Sequence, residues 1–319
     1  MHYDIFNGDA DGILSLLQLR LANPIASQLV TGVKRDISLV NKVNPVGVES
    51  ATVLDVSMEK NIQGLQRLLD ADVPVQYFDH HRTGEIPNHE KLSCHIDTSA
   101  SMCTALIVND FLNNRYQLWA IAAAFGDNLV DVAQKRAEAL NLEPQLINRL
   151  KRLGICINYN GYGRSLEDLH FTPDELFTRL LRFEQPQELF SDPSSVYHDL
   201  IEAYDQDMSN AKDAKVLSDQ ESCKVVLLPD QNWSHRVSGA YGNELANSAP
   251  HKAHAVLTNN SDGHSYTVSV RAPINNLQGA DEVCIQFPTG GGRAGAAGIN
   301  KLPQNDLGRF IEVLGNFYQ

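Results

Sequence analysis

The chain has 319 residues, 43% hydrophobic and 20% charged, with 26 Lys and Arg against 39 Asp and Glu for a formal charge of −13. That surplus argues against a general nucleic-acid coat or a polybasic membrane binder, and the apolar fraction is that of ordinary globular material. At about 100–200 residues per domain, the length predicts two domains. In chain order, residues 3–6, 51–54 and 73–78 are short apolar or β-branched runs and read as strands. Residues 13–21 and 62–69 carry apolar side chains at three- and four-residue spacing and read as helices between them. This alternation predicts an α/β domain, a mostly parallel sheet flanked by helices. From about residue 100 the pattern turns helical, broken at Pro144, Pro173, Pro186 and Pro193. Residues 195–217, polar and without Pro or Gly, read as a linker helix. Strand-like 224–228, 253–258 and 266–271, with helical 237–247 and 307–317, predict a smaller α+β domain. The expected division is 1–194, 195–217 and 218–319.

The first four residues have no basic region leading into an apolar run, and no stretch approaches the roughly 18 apolar residues of a membrane span. A cytoplasmic protein without a membrane partner is expected. The five cysteines are odd in number and scattered, which fits reduced, buried thiols better than a disulfide framework or a zinc site. Charge is unevenly shared. Residues 218–319 hold 7 basic and 9 acidic residues, so residues 1–217 carry 19 and 30.

Each predicted strand of the first half ends on acidic chemistry. Asn7-Gly8-Asp9-Ala10-Asp11-Gly12 follows the first, Asp55 the second and Asp79-His80-His81 the third, while Asp127 follows the apolar helix 118–125. Carboxylates gathered at the carboxyl ends of strands repel one another unless a cation neutralises them. Oxygen and imidazole donors without thiolate suit Mn²⁺ or Mg²⁺, and a pair of such ions can clamp a phosphoryl group. Taken singly, an Asp-x-Asp turn also fits an Asx-turn or a helix cap, and a His-His pair also fits a structural or surface role.

These segments, with Gly126-Asp127-Asn128, resemble motifs one to four of the DHH phosphoesterase superfamily in their order. Ser269-Val270-Arg271 and the run from Gly290 to Gly298 are similar to the signatures of the DHH-associated C-terminal domain. The resemblance implies a two-metal phosphodiesterase, usually manganese-dependent with Mg²⁺ the alternative, whose second domain holds the nucleoside end of the substrate. It implies Asp9, Asp11, Asp55, His80 and Asp127 as metal ligands, with Asp55 and Asp127 bridging. Asp79 would orient His80, and His81 would touch the scissile phosphate or leaving oxygen. Arg271, Gly290, Gly291, Gly292 and Arg293 would bind substrate, and Ser99 and Ser101 either cap the next helix or bind phosphate. Two departures stand out. Ile5 occupies the place of a family His and Asn7 that of a further Asp, thinning the ligand set of one ion. Arg293 replaces a family His and offers a planar fork to phosphate or to the O6/N7 edge of guanine.

The glycines of 290–295 also satisfy GxGxxG, but too little chain follows for a dinucleotide fold, and a Gly-rich loop forming an anion-binding nest is expected. The segment 158–164 could stack a base but reads first as a surface connection, and His89 and His95 read as loop residues. The expected activity is nanoRNase-like hydrolysis of short linear dinucleotides such as pGpG or pApA to 5′-mononucleotides, with no long nucleic acid as partner and homodimerisation in keeping with the family. The alternatives are a RecJ-like single-strand exonuclease, a cyclic dinucleotide phosphodiesterase, a 3′-phosphoadenosine 5′-phosphate phosphatase, or a nucleotide sensor with a weakened metal site.

Overall fold

Ile5 and Phe6 are both fully buried at the end of β1 (His2–Phe6), the mark of a strand covered on both faces. The computed structural model describes residues Met1–Gln319, whose contacts divide into two units, Met1–Ala203 and Tyr204–Gln319. The first unit continues through α1 (Ala10–Ala22), β2 (Ser27–Val30), β3 (Ser50–Leu54), α2 (Met58–Asp70), β4 (Val75–Asp79) and β5 (Leu92–Ile96). Helices α3 (Thr104–Phe111), α4 (Gln117–Gly126), α5 (Val130–Ala139), α6 (Pro144–Asn160), α7 (Pro173–Leu180) and α8 (Pro186–Ser191) follow, and α9 (Val196–Lys212) begins in the first unit and ends in the second. The strands pair in the order β2-β1-β3-β4-β5, all parallel. On one face Ile5, Val53, Val75 and Tyr77 pack with Leu65, Leu68 and Leu69 of α2. On the other, Phe6 meets Phe177 of α7 with ring centroids 6.0 Å apart and Phe78 meets Phe111 of α3 at 5.2 Å. The chain leaves β1 toward β2 on one side and returns with β3 on the other, so the crevice outside β1 and β3 is the topological switch point.

Two strands lie outside the sequence expectation. Both β2 and β5 are edge strands with no fully buried side chain, so neither shows an apolar run. His95 is accordingly a strand residue, stacked on Phe78 at 4.5 Å, rather than a loop residue. The helix expected over 195–217 ends at Lys212, and Lys215 and Val216 already belong to the second sheet.

The second unit contains β6 (Lys215–Asp219), β7 (Cys223–Leu228), α10 (Asn232–Ser248), β8 (Ala253–Asn259), β9 (Ser265–Arg271), α11 (Ala280–Cys284), β10 (Gly290–Arg293), β11 (Ala296–Pro303) and α12 (Leu307–Phe317). Its sheet runs β10-β11-β9-β8-β7-β6, with β7 and β8 parallel and every other pair antiparallel. Val225, Ala255, Leu257, Val268 and Val270 form one core with Val283 of α11 and Phe310 and Leu314 of α12. Helix α10 covers the opposite face, where Gly242 lies against Val256 and Arg271. The glycine-rich run is a strand pair, not the expected loop: Gly290 to Arg293 ladder against Ala296 to Ile299. Glycine is needed there for packing, because a Cβ on Gly290 would sit 1.8 Å from the Cys284 carbonyl oxygen. No helix of the chain is long and apolar enough to cross a membrane.

Candidate metal centre

The first acidic turn is a helix start that also gathers charge. Asn7 Oδ1 accepts from the Asp9 N–H (3.2 Å), and Asp9 Oδ1 caps α1 by accepting from the N–H groups of Asp11 (3.0 Å) and Gly12 (3.1 Å). Asp11 reaches across to α3, whose Thr104 and Ala105 N–H groups each donate to one of its carboxylate oxygens at 2.7 Å. The cap residue of α3, Cys103, contributes no side-chain bond. Asp11 therefore does the capping expected of Ser99 or Ser101: Ser99 bonds Asp97, and Ser101 stands exposed in the preceding turn.

Asp55, at the end of β3, has φ +57°, a left-handed backbone that a non-glycine residue adopts at a cost of about 1 kcal/mol or more. Its Oδ1 accepts from Thr104 Oγ1 at 3.3 Å. At the end of β4, Asp79 Oδ1 accepts the His80 N–H (2.9 Å) and meets His81 Nδ1 (2.7 Å). Asp79 thus orients the His81 ring, where orientation of His80 was expected. The His80 ring is fixed by the Met102 carbonyl, 3.0 Å from Nδ1. A carbonyl only accepts, so Nδ1 carries a proton, and in the neutral ring Nε2 is the lone-pair nitrogen, 3.5 Å from Asp55 Oδ1 and 3.8 Å from Asp11 Oδ2. Asp127 follows α4. Two groups of donor atoms lie close enough to share one ion, Asp11 with His80 and Asp127, and Asp55 with His80 and His81.

Lys34, in the loop after β2, is a member that no motif signals. Its Nζ is 2.6 Å from Asp9 Oδ2 and 4.0 Å from Asp127 Oδ1, and it donates to Asn158 Oδ1 at 2.7 Å. The Tyr162 ring centroid lies 5.4 Å away. The segment around Asn158, read from sequence first as a surface connection, therefore supports the centre, with Asn160 fully buried and bonded to the backbone of His170 and Phe171.

The charges are unequal in consequence. Burial and the neighbouring Asp11, Asp9 and Asp127 carboxylates push the Asp55 carboxyl well above the usual range. Asp127 is raised to about 6, by burial first and then by Asp11, with Lys34 opposing. Burial would raise Asp9 as well, but the Lys34 ammonium holds it below its ordinary value. For His81, burial would lower the pKa, yet the bond to Asp79 keeps it raised. A divalent cation fits this set on two counts: it would relieve the repulsion that lifts Asp55 and Asp127, and Asp79 Oδ2 is buried without a hydrogen-bond partner. The donors are carboxylate oxygens and imidazole nitrogens, in keeping with Mn²⁺ or Mg²⁺.

The other expected site residues lie in the second unit. The Arg271 guanidinium is held on α10, donating to Asn243 Oδ1 (2.6 Å), the Gly239 carbonyl (3.2 Å) and Ser269 Oγ (3.0 Å). Gly290, Gly291, Gly292 and Arg293 form the edge strand β10, with Arg293 exposed. Asn243 is a supporting residue that its helical surroundings hide in the sequence.

This fold, a parallel sheet with carboxylates and imidazoles at its switch point and a second mixed sheet, is shared with solved structures of phosphodiester-cleaving enzymes. A pGpG-specific phosphodiesterase of Vibrio cholerae is similar at 14% identity and a TM-score of 0.58, over 100% of this chain and 99% of its own. The exonuclease RecJ bound to manganese is similar at 16% identity and a TM-score of 0.59, over 99% and 89% of the two chains. RecJ of Thermus thermophilus with Mn²⁺ gives 16% and 0.61, over 99% of this chain, which spans 52% of that one. No family model matches the sequence, and no curated protein does.

Proposed function

We propose that this protein is a metal-dependent phosphodiesterase that hydrolyses short linear dinucleotides, of the pGpG or pApA kind, to 5′-mononucleotides. The observation that carries this reading is the convergence of Asp11, Asp55, His80 and Asp127 outside β1, β3 and β4, with Asp9 beside them on Lys34, in a chain that aligns end to end with a pGpG-specific phosphodiesterase. Asp11, Asp55, His80 and Asp127 would hold Mn²⁺, or Mg²⁺ as the alternative, and the ion when bound supplies Lewis-acid polarisation of the phosphoryl group and activation of water. The Met102 carbonyl keeps His80 in the tautomer that offers Nε2 as a ligand. Asp79 favours the protonated form of His81, whose ring can then donate a proton to the phosphoryl or leaving oxygen. Arg271, Arg293, Gly290, Gly291 and Gly292 are the groups proposed to hold the nucleotide, with Ser101 a further phosphate contact.

Charge supports a small substrate over a polymer. A processive exonuclease needs a long basic groove, and the chain carries −13, most of it before residue 218. The test is a hydrolysis panel with Mn²⁺ and with Mg²⁺, covering pGpG, pApA, cyclic dinucleotides, 3′-phosphoadenosine 5′-phosphate and oligonucleotides of increasing length, with product identification. Dinucleotides are expected to be cleaved fastest, to 5′-mononucleotides. Cleavage of long oligonucleotides at the rate of dimers would replace this reading with an exonuclease, and nucleotide binding without turnover would replace it with a sensor.

A further inference from the structure

Asp9 is the acidic residue of the centre in direct contact with a lysine ammonium, which stands farther, at 4.0 Å, from Asp127. Lys34 Nζ sits 2.6 Å from Asp9 Oδ2, while Asp9 Oδ1 is occupied by the first N–H groups of α1. The ammonium is held from several directions. Asn158 Oδ1 accepts from Nζ (2.7 Å), the Lys34 N–H donates to the Gly161 carbonyl (2.9 Å), and the Asn7 side-chain amide donates to the Lys34 carbonyl (3.3 Å). The turn of β1 and the Lys34 loop are pressed together, because a Cβ on Gly8 would lie 1.9 Å from the Gly32 carbonyl oxygen. Three segments of chain thus converge to hold one lysine against one aspartate.

The same aspartate is poorly provided with further metal donors. Ile5, on the strand leading to it, is buried among Leu39, Val40 and Met58 on the α2 face. The two groups of side chains that can take an ion both use His80, and neither includes Asp9. A divalent ion seated on Asp9 Oδ2 would have to displace, or face at close range, an ammonium already in hydrogen-bond contact with that oxygen. In a buried site such like-charge repulsion is weakly screened.

We propose that the Lys34 ammonium takes the place of a second divalent ion at Asp9, so that the chain binds a single divalent ion, through Asp11, Asp55, His80 and Asp127. The inference rests on the metal-dependent reading of this cluster and changes its stoichiometry. Lys34 then serves as the permanent positive charge on the Asp9 side, fixed by the fold and independent of metal supply.

The experiment measures Mn²⁺ bound to the purified full chain by equilibrium dialysis, with electron paramagnetic resonance of the bound ion. One Mn²⁺ per chain is expected, with the spectrum of isolated ions and no spin-coupled pair. Lys34→Met should gain a second ion with a coupled spectrum, its second-site affinity at least about tenfold above that of the unmutated chain. Asp9→Asn should keep the count at one. Two coupled ions in the unmutated protein would overturn the proposal, as would a folded Lys34→Met with no second ion. If Lys34→Met fails to fold, the count in the unmutated chain and in Asp9→Asn still decides. Absence of any bound Mn²⁺ would instead refute the metal-dependent reading itself.

Discussion

Replacing Asp4 with Asn removes the charge that ties β1 to α1 away from the metal centre. Asp4 is fully buried, and Arg20 grips it with two donors, Nη2 to Oδ1 at 2.6 Å and Nε to Oδ2 at 2.8 Å. Ser27 Oγ donates at 2.6 Å, and His2 Nε2 lies 3.1 Å away. Burial alone would raise this carboxyl, but the bonds to Arg20, His2 and Ser27 and the Arg20 charge hold it at about 2, against an ordinary 3.8. That depression corresponds to about 2 kcal/mol of stability for the ionised form. Because the folded value lies below the unfolded one, the stabilisation is complete above about pH 4 and is lost as the pH falls toward about 2. Asn also leaves the buried Arg20 guanidinium uncompensated, and breaking a buried pair in this way costs about 3–5 kcal/mol. Urea unfolding of the first unit at pH 7 should therefore show Asp4→Asn less stable by about 3 kcal/mol, and acidification from pH 4 toward pH 2 should narrow the gap. Arg20 lies 11 residues beyond Asp9, about 16 Å along α1, so Mn²⁺ affinity of the folded variant should change by less than about twofold. A variant within about 0.5 kcal/mol of the unmutated protein at pH 7, or a gap that widens in acid, would refute the reasoning.

Further outcomes follow from the centre and the second sheet. His80→Ala should weaken Mn²⁺ binding by at least about tenfold, whereas His81→Ala should keep most of the affinity and lower kcat; calorimetry and steady-state kinetics separate the two. Gly8→Ala should cost about 1–3 kcal/mol in thermal unfolding, since its Cβ would meet the Gly32 carbonyl at 1.9 Å and the Lys34 loop would have to move. Asn243→Ala, by removing one of the partners that hold the Arg271 guanidinium, should raise KM for a dinucleotide and leave kcat within about twofold. Arg293→Ala should reduce the preference for pGpG over pApA in a competition assay, and an unchanged ratio would remove guanine recognition from this side chain.

The acidic turns were readable because each pairs an apolar strand with a short polar ending, a local pattern that survives without any knowledge of the fold. Asp9, Asp55 and Asp79 stand where strand order brings them together, and order 2-1-3-4-5 makes the crevice. Lys34 could not be read this way. A single lysine in a loop has no period, and its partner Asn158 is 124 residues distant in sequence. The Asp79 bond to His81 was hidden for another reason: in Asp79-His80-His81 either imidazole can reach the carboxylate, and the choice depends on Met102 claiming the ring of His80. The hairpin of Gly290–Arg293 lacks side chains whose alternation could betray a strand. Edge strands β2 and β5, partly exposed on both faces, lose the apolar signal that marks β1 and β3.

Asp11 does two jobs with one carboxylate, and this joins two equilibria that are usually separate. Its oxygens accept the Thr104 and Ala105 N–H groups that open α3, and they also belong to the cluster that would receive the ion. Whatever stabilises the ionised carboxylate strengthens the cap. The start of α3 thereby becomes a reporter of occupancy, its amide exchange slowing when the ion binds and quickening under a chelator. At its far end helix α3 carries Phe111, packed on Phe78 of the strand that ends in Asp79, so the helix that reports on Asp11 is also anchored to β4.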